Sequence, residues 1–257
     1  PVTAEREETA PPPGRPGEVR PESFPRTPPL AGLIESVPKI DSEVHTLANG
    51  LKVVFVPNHK VPYVSMNLGF KAGAWLEQKP GTTSMTLSML TKGTENHTEA
   101  QLADELETYA ISLSGSGGMD SSNVFAGCLT EHVERTLAFL AEIVRTPTFP
   151  AEEFEKLRKQ VLTGLTVSNA EPSYLADREL RRRLYGEHPY ARIAVGEIED
   201  VQALKVEDLP AWWQANSRPD DAVLLIAGDV EPTQVLKLVE ATLGDWKGAG
   251  PAPQATV

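Results

Sequence analysis

The chain has 257 residues, of which 40% are hydrophobic and 23% charged, so it can bury a sizeable core and is organised as one large domain or two small ones. A net charge of -12, with no cluster of Lys and Arg, argues against nucleic acid as a partner, and no apolar run is long enough to span a membrane. Cys128 is the only cysteine, which excludes an internal disulfide or a cysteine-based zinc site; in the apolar run NVFAGCL it reads as a buried small hydrophobe.

Residues 1–43 are rich in proline and charge and read as a tail or linker. The chain starts at Pro1 with no signal-type apolar segment, so a processed or truncated product is expected. Folded character begins at EVHTLANGLKVVFVPN, where Asn49-Gly50 predicts a hairpin turn and Leu51, Val53 and Phe55 alternate behind it. YVSMNLGF predicts a second strand, with Val64, Met66, Leu68 and Phe70 on its covered face.

GTTSMTLSMLTKGT predicts a helix of about two turns, opened by Gly81 and its threonines and stopped at Gly93. A capping box at Thr98 to Gln101 opens the next helix, with Leu102, Leu106, Tyr109 and Leu113 at helical spacing. SGSGGMDSS then reads as a mobile hairpin loop before the strand NVFAGCL. It resembles a phosphate-cradling loop only superficially, because it lacks the GK[ST] ending and follows a helix.

Two amphipathic helices come next, the first carrying Val133, Leu137, Leu140 and Val144, the second Phe154, Leu157, Val161 and Leu165. Glu171-Pro172 breaks the pattern ahead of a helix over Tyr174 to Leu184. In that helix Arg181, Arg182 and Arg183 fan round the circumference, so a solvated face paired with nearby acids is expected. VEDLPAWWQANS predicts a short helix in which Trp212-Trp213 supply core and surface packing. DAVLLIAGDV predicts a buried strand and TQVLKLVEATLG a last amphipathic helix. Helices grouped between strands imply an α+β fold, a largely antiparallel sheet with helices packed mainly on one face. The expected domains are 44–246 as the single folded unit and 247–257 as a linker.

Chemistry is scarce along this chain. His45, His59, His97, His132 and His188 lie too far apart in sequence for an HxxxH pair, the spacing that projects two imidazoles from one helix face. No G-x-S-x-G elbow is present, although sequence order alone does not exclude a Ser-His-Asp triad.

In order, the chain carries Asn49-Gly50-Leu51, Gly73 with Glu77, Gly81, Gly93-Thr94, Phe149-Pro150, His188-Pro189-Tyr190, Gly196, Asp208-Leu209, Arg218-Pro219 and Gly228-Asp229. This order resembles the pitrilysin/insulinase family of zinc peptidases, which includes the mitochondrial processing peptidase, and it is most similar to the bacterial two-subunit type. The resemblance covers about residues 44 to 245 and implies a metallopeptidase half-domain of the processing-peptidase type.

In active members the segment between the matching Gly81 and Thr94 carries H-x-x-E-H, two zinc-binding histidines and the glutamate that activates water. Those positions here are Ser84, Leu87 and Ser88, and the family's third ligand, a glutamate, falls at or beside Gly164. All four depart from the pattern, so no catalytic or metal-binding residue is expected in this chain, and zinc is expected in a partner. The resemblance implies a non-catalytic subunit, or half of a fused chain, that closes over an active homologue to form a peptide-degrading chamber. A periplasmic or envelope location and a second domain after Val257 are expected on the same ground. Two alternatives remain open, a scaffolding protein independent of proteolysis and an enzyme using another site in the same fold.

Overall fold

In a computed structural model, which describes residues 40–248, Asn49 and Gly50 turn the chain between β1 (Glu43–Thr46) and the antiparallel β2 (Lys52–Pro57). Gly50 has φ of 92°, the left-handed region that glycine enters freely. Asn49 does more than turn the chain. Its Nδ2 donates to the carbonyls of Leu243 and Trp246 at 2.7 and 3.1 Å, tying the turn to the end of the last helix.

The remaining strands are β3 (Tyr63–Phe70), β4 (Ser112–Gly117), β5 (Ser122–Leu129) and β6 (Ala222–Gly228). They form one sheet in the order β1-β2-β6-β3-β5-β4. Every neighbouring pair is antiparallel except β2 and β6, which run parallel with Val53 opposite Leu224. The predicted "largely antiparallel" sheet is therefore found, with one parallel seam made by strands far apart in sequence.

One face of this sheet is apolar and covered. Val53, Phe55, Val64, Met66, Leu68, Phe70, Val124, Cys128, Leu224 and Ile226 are all buried there. The period-2 alternation puts Lys52, Ser65, Phe125 and Val223 on the other face, which no helix among the described residues covers. β6 was expected to be buried, yet Val223 and Leu225 are 38% exposed; its continuous apolar run hides a strand covered on one face only.

Eight α-helices accompany the sheet among the described residues: α1 (Thr82–Met89), α2 (Glu99–Thr108), α3 (Val133–Arg145), α4 (Ala151–Ser168), α5 (Pro172–Tyr185), α6 (Ile198–Ala203), α7 (Asp208–Asn216) and α8 (Pro232–Leu243). α1 and α3 pack on β5, α1 also on β4, and α8 on β2; α7 and α4 pack against α1. The Thr98–Gln101 capping box forms as expected, and Pro172 and Pro232 occupy first-turn positions where no backbone N–H is needed.

Two expectations fail in the same place. Leu113 does not continue the helix of Leu102, Leu106 and Tyr109, because α2 ends at Thr108 and Leu113 lies in β4. SGSGG is not a mobile loop: residues 112–117 pair with β5 along their whole length, and only the turn at 118–121 separates the two strands. Of the tail assigned to residues 1–43, residues 1–39 lie outside the described residues, as does the part of the linker at 249–257, and β1 already begins at Glu43.

Candidate functional site

α1 is the centre of interest, because it carries three of the four positions that the resemblance matches to a zinc site. It begins at Gly81, which has φ of 88° and would bring a Cβ to 2.7 Å from the carbonyl oxygen of Val195. A side chain is excluded there on both counts. The first turn is held by Glu77, a 6% exposed carboxylate whose Oε1 accepts from the Gly81 N–H and Oε2 from the Thr83 N–H, both at 2.8 Å. It satisfies two donors that the helix itself cannot, and its charge complements the helix N-terminus. Burial pushes the Glu77 carboxyl above its ordinary value, against the lowering effect of the Thr83 and Gly81 hydrogen bonds and of Arg192.

The body of α1 is buried nearly all round. Met85, Leu87, Met89 and Leu90 are at most 1% exposed, while Ser84 and Ser88, one turn apart, are half-buried. Leu87, which the resemblance matches to the family's proton-accepting glutamate, is a core residue. The glycines of β4 explain how tightly this helix is held. A Cβ at Gly115 would collide with the carbonyl oxygen of Leu87, and one at Gly117 would lie 2.9 Å from Thr83 Cγ2. Close approach of strand to helix, and not phosphate binding, is the reason for the run of Ser and Gly.

Gly164 lies on the stripe of α4 that carries Leu157 and Val161, both packed on the core, yet a Cβ at Gly164 would meet nothing within 4 Å. Space for a side chain is present; the side chain is not. Zinc, the metal that the resemblance implies, does not fit these four residues. Two neutral hydroxyls, a leucine and a glycine offer no imidazole or carboxylate donor and nothing that takes a proton from water.

The histidines hold local structure at separate places. His59 Nδ1 lies 2.7 Å from Asp229 Oδ1, and Thr130 donates to the other oxygen of that carboxylate at 3.1 Å. This lowers the Asp229 pKa through the His59 hydrogen bond first and Thr130 second. His97 Nδ1 lies 2.7 Å from Glu142 Oε1, the oxygen that also accepts from the Thr94 hydroxyl. His45 and His132 sit edge-on to Phe55 and Tyr109, and His188 Nδ1 accepts from the Tyr190 N–H at 3.2 Å. No group of three or more His, Cys, Asp or Glu able to hold a metal ion occurs among the described residues.

Arg181, Arg182 and Arg183 of α5 pair as expected, Arg181 with Asp177, Arg183 with Glu179 and Arg182 with Glu197. Cys128 is buried, and burial pushes its thiol pKa up, away from reactivity. Sequence reasoning missed the capping role of Glu77, although a carboxylate four residues before a helix-opening glycine was a usable signal. It also divided Trp212 and Trp213 between surface and core, whereas both are buried.

One six-stranded sheet with helices packed on one face, and a buried helix α1 that carries no imidazole or carboxylate, define a mixed α/β domain. Residues 52–197 match the family described as Insulinase (Peptidase family M16), and residues 203–257 match Peptidase M16 inactive domain. The chain belongs to peptidase family M16. Over 193 residues it is 27% identical to the non-peptidase homolog YmxG of Helicobacter pylori, covering 74% of this chain and 45% of that protein. It is 26% identical over 205 residues to a probable mitochondrial-processing peptidase subunit beta of Schizosaccharomyces pombe, covering 79% and 45%.

Two solved structures share the fold. A protease from Helicobacter pylori superposes with a TM-score of 0.78 at 22% identity, covering 85% of this chain and 54% of that one. The first half of the periplasmic protease PqqL from Escherichia coli gives 0.75 at 18% identity, covering 84% and 48%. The chain thus spans about half the length of the relatives it matches.

Proposed function

We propose that this chain is a catalytically inactive half of an M16 assembly, which pairs with a homologue carrying H-x-x-E-H to enclose peptide substrates. The observation that carries the proposal is Leu87, fully buried in the core at the position where an active member needs an ionisable base. Ser84, Ser88 and Gly164, the matching ligand positions, supply no donor that would hold zinc. The retained helix is then a packing element, and the chain contributes chamber wall and peptide contacts. Zinc and the base belong to the partner, and this chain binds no cofactor itself.

The matches to an inactive-domain family and to a non-peptidase homolog support the loss of activity. Residues 44–246 act as one peptidase-like domain, with 247–257 leading to a second. A periplasmic or envelope location is supported by likeness to the periplasmic PqqL, and no helix among the described residues is long and apolar enough to cross a membrane.

The test is co-expression with an H-x-x-E-H homologue from the same genome, followed by size-exclusion chromatography and an assay on unfolded peptide. Co-elution, with turnover abolished by a chelator and by mutation of the homologue's glutamate alone, is the expected result. A homologue that is fully active alone and never co-elutes would sink the proposal.

A further inference from the structure

A groove of about 350 Å³ runs between α7 and the segment leading into α1. Its walls are largely apolar, with Leu76, Ala211 and Ala215 among them, and Thr82 contributes from the first turn of α1. The Lys79–Asp208 ion pair, 2.5 Å long, also borders it.

Two further lining residues, Trp212 and Asn216, stand one turn apart on α7 and are 8% and 7% exposed. Trp212 Nε1 is buried with no hydrogen-bond partner, and so is Asn216 Oδ1. The contrast with the neighbouring indole is instructive, since Trp213 Nε1 donates to the Val144 carbonyl at 2.9 Å. Asn216 Nδ2 donates to the Trp212 carbonyl at 2.8 Å, which fixes the amide so that its oxygen is the end left over. Thr86, one turn along α1 from Thr82, has a hydroxyl that is likewise buried without a partner. Buried polar atoms are nearly always paired, so an unmatched donor and an unmatched acceptor on two residues that line one groove point to a polar group that both could share.

We propose that this groove binds the primary carboxamide of a glutamine or asparagine side chain presented by a peptide. A carboxamide carries one acceptor and two donors, so its oxygen can take the Trp212 N–H while its nitrogen donates to Asn216 Oδ1. A carboxylate would set two acceptors against Asn216 Oδ1 and Asp208. An ammonium would face the Trp212 N–H and Lys79 with donors only. The side chain's methylenes match the apolar wall of Leu76, Ala211 and Ala215. Both unpaired atoms are shut off from solvent, so entry requires a small shift of the Trp212 ring. None of the four zinc-site positions takes part, and the inference stands or falls separately from the inactive-half proposal.

The test is a titration of the whole ¹⁵N-labelled chain with N-acetyl-glutamine N-methylamide and, separately, its glutamate counterpart at pH 7, following the tryptophan indole N–H signals. The Trp212 signal is identified by its loss in Trp212→Phe. Saturable movement of that signal by the glutamine compound, with the glutamate compound binding about tenfold more weakly or worse, is the expected result. Trp212→Phe should weaken the glutamine compound by a similar factor while the Trp213 signal stays in place. Equal affinity for the two compounds, no movement of the Trp212 signal, or a water cross-peak at that N–H which the compound never displaces would each overturn the proposal. Should the Trp212→Phe chain fail to fold, the comparison of the two compounds on the unmodified chain decides alone.

Discussion

The backbone of Gly115 in β4 lies so close to the carbonyl oxygen of Leu87 in α1 that a Cβ at residue 115 would fall well inside 3.0 Å of it. Strand and helix meet backbone to backbone, which only glycine allows. Gly115→Ala must therefore push β4 away from α1 or break its pairing with β5. Overpacking of this kind costs typically about 1–3 kcal/mol. Gly164→Ala is the counterpart. It adds the same methyl where nothing lies within 4 Å, in an exposed helix interior, and should stabilise by about 1 kcal/mol. Urea unfolding of the two variants checks both signs; a neutral Gly115→Ala would mean that the close approach does not constrain the fold.

Glu77 gives a pH dependence of unusual sign. Its carboxyl is raised in the folded chain by burial, so the folded state holds this proton more tightly than the unfolded one. The stability gained from protonating it is fully present below the unfolded value of 4.5 and is lost as pH rises through the higher folded value. Glu77→Gln removes that titration and leaves one oxygen to serve the N–H groups of both Gly81 and Thr83. The variant should be less stable throughout, and its deficit should widen as pH falls toward 4.5 and below. Unfolding curves of both proteins across pH 3.5 to 7.5, subtracted pairwise, cancel the other carboxylates; a deficit that narrows on acidification would contradict the assigned shift.

The His97–Glu142 contact joins the loop between α1 and α2 to α3, and the Thr94 hydroxyl shares the same oxygen. Glu142 is 13% exposed in its side chain and His97 28%, so water replaces the lost partner poorly. Glu142→Ala should cost about 1–3 kcal/mol. With His97→Ala the two losses should fall short of additive, since each removes the same contact. Additivity within error in the double-mutant cycle would show that the two groups do not support each other.

Much of this fold was legible because its signals are local. Asn49-Gly50, the alternation of Val64 to Phe70, and the Thr98–Gln101 capping box each specify structure within a few residues. β4 was not legible, because Ser-Gly repeats normally mark loops and the demand for glycine comes from α1, more than 20 residues earlier, a contact visible only in three dimensions (residue 115 against residue 87). The parallel β2–β6 seam escaped for the same reason, pairing Val53 with Leu224. That Ser84, Leu87, Ser88 and Gly164 carry no imidazole or carboxylate is plain in the sequence, while their match to the family's zinc site rests on the resemblance. Periodicity could not reveal that Glu77 caps α1, nor that Trp212 and Asn216 would leave polar atoms unpaired.

Restoring ligands tests whether the four positions correspond to the family's zinc site. Ser84 and Ser88 are one helical turn apart and are the two half-buried residues of α1, so imidazoles at both would share a face and reach outward together. Gly164→Glu has room to grow. Leu87→Glu is another matter, because Leu87 is fully buried and an unpaired carboxylate there costs several kcal/mol. The triple variant Ser84→His, Ser88→His, Gly164→Glu therefore keeps the core intact and still offers zinc three donors. It should fold like the parent, gain one zinc per chain, and show a melting temperature that rises with zinc and falls with a chelator, whereas the parent should respond to neither. Adding Leu87→Glu should lower stability without zinc and recover part of it when the metal is present. Turnover is not expected from either variant, since the groups that orient the family's ligands need not have survived. A triple variant that folds yet shows no zinc-dependent rise in melting temperature would mean that these positions do not converge, and the site would have to be sought elsewhere on α1 and α4.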